Sequence, residues 1–145
     1  MSSKFRHGLS CFLLLVVAAA WIAAAQHTKA QVEEPKAFAG NKVIPLVKVD
    51  LTSVPNQQVI ANIYEVPSGA TVPRHFHHGD EFHLVLSGEW AAEVEGRPMH
   101  LMKAGDSQYV PRDHWHGGRV VGAAPLRVLG VMIVEKDKPI TELKQ

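Results

Sequence analysis

The chain has 145 residues, of which 46% are hydrophobic and 20% charged, so it suits one domain with a packed core and is not a disordered chain. Its 15 basic and 14 acidic residues leave a net charge of +1, which excludes the basic footprint of a nucleic-acid binder. Lys4, Arg6 and His7 precede an apolar stretch, Leu9 to Ala25, broken only by Ser10, and Ala23-Ala24-Ala25 places small residues before Gln26. This is the pattern of a cleaved Sec-type signal peptide over residues 1–25, and the run is short for a membrane span of about 20 residues. A retained anchor is the alternative, and Ala30 offers a second small-residue cleavage position. No Arg-Arg pair points to a twin-arginine route. The expected location is therefore periplasmic or extracellular, with no stable membrane association once the signal is removed. The single cysteine, Cys11, leaves with it, so disulfides, thiolate ligands and a cysteine nucleophile are excluded from the mature chain.

Residues 26–41 are polar and contain Pro35, and read as a flexible lead-in. Short apolar runs separated by turn signals follow, the pattern of an all-β sandwich or barrel. Lys42–Leu51 is the first expected strand, with Pro45 marking an edge or a bulge. Gln58–Val66 is the second, ending at the turn Pro67-Ser68-Gly69. Thr71–His77 and Glu81–Ser87 come next, joined by a turn at His78-Gly79-Asp80, where Gly accepts positive φ and Asp bonds its own backbone. Trp90–Val94, Met99–Lys103, Gln108–Val110 and His114–Val121 continue the series. Leu126–Glu135 is the most apolar run and the expected central strand. The tail is charged and Pro139 argues against a long helix. The expected architecture is a small antiparallel β-barrel.

Side chains alternate along a strand, so His75 and His77 share one face of the Thr71–His77 run, while Phe76 and His78 share the other. Glu81 returns on the neighbouring strand. Two imidazoles and a carboxylate converging from adjacent strands is metal-site chemistry. His83 follows Glu81 by two and shares its face, either as a proton shuttle or hydrogen-bonded neighbour of the site, or as a core histidine. His78 and Asp80 read as turn residues, Arg74 as a surface or dimer-contact residue and His100 as exposed. Trp90 and Trp115 could wall a pocket or simply pack.

Two spacings in this stretch and beyond it resemble the motifs of the cupin superfamily. The first is Gly, five residues, His-x-His, three or four residues, Glu, six residues, Gly, met here by Gly69, His75, His77, Glu81 and Gly88. The second is Gly, five residues, Pro-x-Gly, two residues, His, three residues, Asn. Gly105, Pro111 and His116 match it, whereas Asp113 replaces the Gly and Val120 the Asn. Asp tolerates turn conformations, so the first departure leaves the turn intact; the second removes a side-chain hydrogen bond near the site.

The resemblance implies a jelly-roll barrel over residues 42–138 followed by a tail, 139–145, and a metal held by His75, His77, Glu81 and His116. His114 could compete with His116, or sit exposed in the turn. His83, Tyr109 and His114 are the candidates for residues around the metal, Tyr109 with core packing as its alternative. Three imidazoles and one carboxylate suit one divalent transition metal per chain, Fe or Mn first, with Ni, Cu or Zn as alternatives. The expected function is a metal-dependent enzyme of the oxygenase type acting on a small molecule. Lewis-acid isomerase or lyase chemistry on a sugar acid or diketone is one alternative, and a non-catalytic ligand-binding barrel is another. Cupins of this size pair readily, so a homodimer is expected. No nucleophile elbow, phosphate loop or dinucleotide fingerprint is present, so any chemistry runs through the metal.

Overall fold

A computed structural model describes residues 40–144; the expected signal peptide and all but the last two residues of the lead-in lie outside them. Ten strands form: β1 (Lys42–Asp50), β2 (Gln57–Val66), β3 (Thr71–Phe76), β4 (Gly79–Ser87), β5 (Glu89–Val94), β6 (His100–Lys103), β7 (Ser107–Val110), β8 (His116–Val121), β9 (Leu126–Glu135) and β10 (Glu142–Leu143). They make two antiparallel five-stranded sheets, one ordered β1-β2-β9-β4-β7 and the other β10-β3-β8-β5-β6. This is the expected all-β, antiparallel jelly-roll. The most apolar run, β9, is the middle strand of its sheet. Pro45 lies on the edge strand β1 at a bulge between Pro45 and Val47, where a residue with no N–H costs the ladder nothing.

Alternation writes the interior. Along β4, Glu81, His83 and Val85 are buried while Phe82, Leu84 and Leu86 are exposed. Along β9, Leu126, Val128, Met132 and Val134 are buried on one face, with Gly130 between them. One apolar cluster gathers Val66, Val85, Trp90, Met102, Val120 and Leu126, and a second gathers Ile60, Met132, Val134 and Ile140. Between them the first sheet carries a single polar row, since Asn62 on β2 pairs with Gly130 on β9, Gly130 with His83 on β4, and His83 with Gln108 on β7. The functional residues therefore occupy a polar layer between two apolar ones.

Three features differ from the sequence expectations. The link between β3 and β4 is His77-His78, and Gly79 and Asp80 already belong to β4. Gly79 is required there for room, not for a turn: a Cβ would fall 1.9 Å from the carbonyl oxygen of Ile133 on β9. The expected tail, as far as residue 144, packs on the barrel. Ile140 is buried against the core, and β10 adds an edge strand to β3, pairing Glu142 with Phe76 and Leu143 with His75. Finally, β7 joins the sheet of β4 and not that of β8, which decides the position of Tyr109 below. The two departures from the second motif are absorbed locally. Asp113 adopts φ 59, a left-handed conformation that Asp tolerates, and Val120 is fully buried in the larger apolar cluster.

Candidate metal centre

His75 comes from β3, His77 from the link after it, Glu81 from β4 and His116 from the start of β8. All four are buried, and one ligand atom from each lies within 4.8 Å of the others. The three rings are held in the same way. His75 Nδ1 is 2.7 Å from the carbonyl oxygen of Pro73, His77 Nδ1 is 2.5 Å from that of Ile140, and His116 Nδ1 is 2.9 Å from that of His114. A carbonyl only accepts, so each Nδ1 carries a proton and each neutral ring presents its lone pair at Nε2.

Those lone pairs meet a carboxylate. Glu81 Oε2 lies 2.9 Å from His116 Nε2 and 3.3 Å from His77 Nε2, and neither Glu81 Oε2 nor His116 Nε2 completes a hydrogen bond. A carboxylate oxygen facing imidazole lone pairs repels them unless a cation stands between, either a proton or a metal ion. Burial alone would lower the pKa of His77, but the Glu81 carboxylate outweighs it and holds the ring above its ordinary value. Burial would raise Glu81, yet the charges of His83 and His77, with contacts from His116 and His77, hold it well below the usual carboxylate range. Burial, together with neighbouring His116 and His77, lowers His75 to about 3, so this ring is neutral and available as a donor. The residues fit a divalent ion: it would replace the proton and satisfy the orphaned oxygen and nitrogen together.

His83 extends the cluster. Its Nε2 is 3.1 Å from Glu81 Oε1 and its Nδ1 is 3.1 Å from Gln108 Nε2. Because the carboxylate accepts, His83 Nε2–H donates to it and Nδ1 accepts from the Gln108 amide. The His83 ring also stands edge-on to Trp90, with centroids 5.1 Å apart and an interplanar angle of 87°. The cluster lines an interior cavity of about 80 Å³, room for more than a single water molecule.

The other sequence candidates lie elsewhere. Tyr109 is 39% exposed on the outer face of the first sheet, its ring beside Phe82 and its hydroxyl donating to Asp80 Oδ1 at 2.8 Å. It therefore neither lines the cavity nor packs in the core, because β7 pairs with β4 in a register that turns residue 109 outward. His114 is exposed, with its ring on the carbonyl of Arg112; only its own carbonyl serves the cluster, through His116. Trp90 walls the cavity, while Trp115 packs edge-on against Phe76 away from it. Arg74 and His100 are exposed. Gln108 and the carbonyl of Ile140 were not among the sequence candidates. Gln108 depends on cross-strand register, and the one usable signal for Ile140 was a lone aliphatic residue in a charged tail.

The direction of these shifts gives a pH dependence for the metal-free protein. His75 ionises at 6.5 when unfolded and at about 3 when folded. Between those values the unfolded chain binds the extra proton, so stability falls as pH falls, by at most about 1.4 kcal/mol per pH unit for one proton. Glu81, lowered, adds to the loss below its ordinary 4.5. His77, raised, contributes stability that is complete below 6.5 and fades as pH rises through its folded value. The melting temperature of chelator-treated protein should therefore peak near pH 6.5 and fall towards pH 5, and His75→Gln should flatten the acid limb. An acid limb of equal slope in the variant would show that His75 is not the group responsible.

The cupin domain family matches residues 62–133. No curated protein sequence matches the chain. Among solved structures, DMSP lyase DddQ from Ruegeria pomeroyi DSS-3 is similar at 26% identity and a TM-score of 0.55, over 59% of this chain and 43% of that one; the chain thus spans under half the length of DddQ. KdgF from a Halomonas species shares the fold at 19% identity and a TM-score of 0.56, over 71% of this chain and 87% of that one. The cupin domain of Schizosaccharomyces pombe Cnp3 does so at 22% identity and 0.57, over 66% and 61%. The family match takes in β3, β4 and β8 and with them every residue of the cluster, and the part of the chain that builds the site, residues 62–133, is a cupin domain.

Proposed function

We propose that this protein is a mononuclear metalloenzyme acting on a small molecule, with His75, His77, Glu81 and His116 holding one divalent transition ion. The observation that carries this is the set of imidazole Nε2 atoms turned onto a buried carboxylate by backbone carbonyls. Bound Fe or Mn would supply redox chemistry with oxygen at open coordination positions. The protein's own groups do the rest. His83 holds a proton at Nε2 against Glu81 Oε1 and can pass it to a group bound beside the cluster. Gln108 fixes the tautomer of His83, and Trp90, Leu126 and Met132 keep the cavity wall apolar and limit water.

Elemental analysis and oxygen uptake on one sample test this reading. About one Fe or Mn per chain with substrate-dependent uptake is the expected result, and the added native ion should raise the melting temperature by mass action. If neither a chelator nor any divalent ion moves the melt, the metal-site reading fails. Lewis-acid lyase or isomerase chemistry is the second reading, favoured by the likeness to a DMSP lyase and by the buried His83 imidazole beside Glu81, which can move a proton; stoichiometric Zn or Mn with turnover but no uptake would select it. Metal without turnover would leave a ligand-binding barrel.

Export and a homodimeric state belong to the same proposal. The outer face of the first sheet exposes Val47, Val49, Phe82 and Leu84, an apolar surface suited to a second copy. A monomeric mass in sedimentation equilibrium would remove the dimer, and a cellular protein that retains Met1 would remove signal cleavage.

A further inference from the structure

Three described residues that line the cavity outside the metal cluster carry a buried polar atom with no hydrogen-bond partner: Asn41, which is only half-buried, and Asn62 and Trp90, which are almost fully buried. Asn62 on β2 is 2% exposed and its Oδ1 is unpaired, while its Nδ2 donates to the Tyr64 hydroxyl at 3.2 Å. Trp90 on β5 is also 2% exposed and its Nε1–H is unpaired. Both line the cavity with the cluster. A buried amide oxygen or indole N–H left unsatisfied is costly, so native proteins keep such groups where something binds them.

The backbone makes room for these side chains. A Cβ at Gly130 would fall 2.7 Å from the Tyr64 ring and 3.3 Å from Glu81 Oε1, so the missing side chain lets the Asn62–Tyr64 pair stand beside the cluster. A Cβ at Gly118 would fall 2.5 Å from Trp90 Nε1, so β8 likewise yields space to the indole. The remaining wall is mostly aliphatic, with Val66, Leu126, Val128 and Met132, and carries Asn41 and Thr141 besides. Among the described residues that line the cavity there is no Lys or Arg.

We propose that Asn62 and Trp90 form the specificity pair of this cavity, and that they select a compact, uncharged hydroxy- or oxo-compound. Asn62 Oδ1 accepts from a ligand hydroxyl, Trp90 Nε1–H donates to a ligand carbonyl or hydroxyl oxygen, and the aliphatic wall takes the carbon skeleton. Apart from an ion held by the cluster, a carboxylate would find no cation on this wall, so Asn62 and Trp90 themselves favour neutral ligands over their acid counterparts. The inference rests on the metalloenzyme reading only for what happens to the ligand after it binds.

Acetoin, an uncharged hydroxyketone, and lactate, in which a carboxylate replaces the acetyl group, are the probes, titrated by calorimetry into the full protein after chelator treatment, so that no ion anchors the carboxylate. The expected result is that acetoin binds more tightly than lactate. Trp90→Phe, which keeps an aromatic ring and removes the N–H, and Asn62→Leu, which keeps the bulk and removes the amide, should each weaken acetoin by about tenfold. Metal content should not change in either variant, since neither residue is among the four donors. Lactate binding tighter than acetoin, acetoin affinity unmoved by both substitutions, or metal lost in both variants would overturn the proposal. The two readings separate cleanly. Protein that takes metal but not acetoin removes this proposal alone, whereas acetoin binding through Asn62 and Trp90 in protein that takes no metal removes only the metalloenzyme.

Discussion

Replacing Glu81 with alanine should weaken metal binding by more than 100-fold. Residues that merely orient a ligand cost about 10- to 100-fold when lost, and Glu81 supplies the only carboxylate among the four donors. Its Oε2 faces both His77 and His116, and its Oε1 holds His83, so the substitution also takes a partner from three rings. The metal-free protein should suffer less. Imidazoles can give up the proton that Glu81 stabilised, and the remaining cost is that of unsatisfied buried groups, about 1–3 kcal/mol. His100→Ala is the control, since His100 is exposed on β6 and should alter neither quantity. Calorimetric titration of both variants with the native ion decides the matter, and equal losses in the two would mean that the site lies elsewhere.

Gly79→Ala should be the most damaging single-methyl change in the barrel. The added carbon would sit 1.9 Å from Ile133 O and 2.7 Å from Val134 Cα, both backbone atoms of β9 that cannot rotate away. Relief requires β4 and β9 to separate, and overpacking of this kind costs about 3 kcal/mol or more, a fall of at least ~10 °C in melting temperature for a domain of this size. Glu81 lies two residues along the displaced strand, so metal affinity should fall with stability. Gly69→Ala separates space from conformation. Gly69 has φ 73 and nothing within 4 Å of its Cβ position, so that variant bears only backbone strain, about 1–2 kcal/mol. Thermal melts of the two variants check the ordering, and a Gly79→Ala protein that melts like Gly69→Ala would show that the strands part easily.

Local pattern carried much of this fold. Alternation located nine of the strands to within a few residues, and the spacing from Gly69 to Gly88 brought His75, His77 and Glu81 forward as candidates before any tertiary contact was known. What sequence could not supply was register between strands distant in the chain. Gln108 meets His83 only because β7 pairs with β4, and the same pairing turns Tyr109 outward, away from both the metal and the core. Asn62 joins the polar row through β9, some 68 residues later at Gly130. Gly79 looked like a turn residue because a turn and a crowded strand crossing both favour glycine, and sequence does not separate the two causes. The charged composition of the tail concealed Ile140, whose contribution is a backbone carbonyl that every residue possesses.

That carbonyl ties the centre to the edge strand β10. Ile140 O holds His77, and beyond it β10 is secured by two paired residues, by Glu142 beside His78 and by one bond from Lys144 N to Arg74 O. An edge element with so few bonds opens more often than the long barrel strands. Such an opening would free the His77 ring to turn while the rest of the barrel stays closed. The residence time of a bound ion would then follow the breathing of β10, and the barrel could release its metal many times without once unfolding.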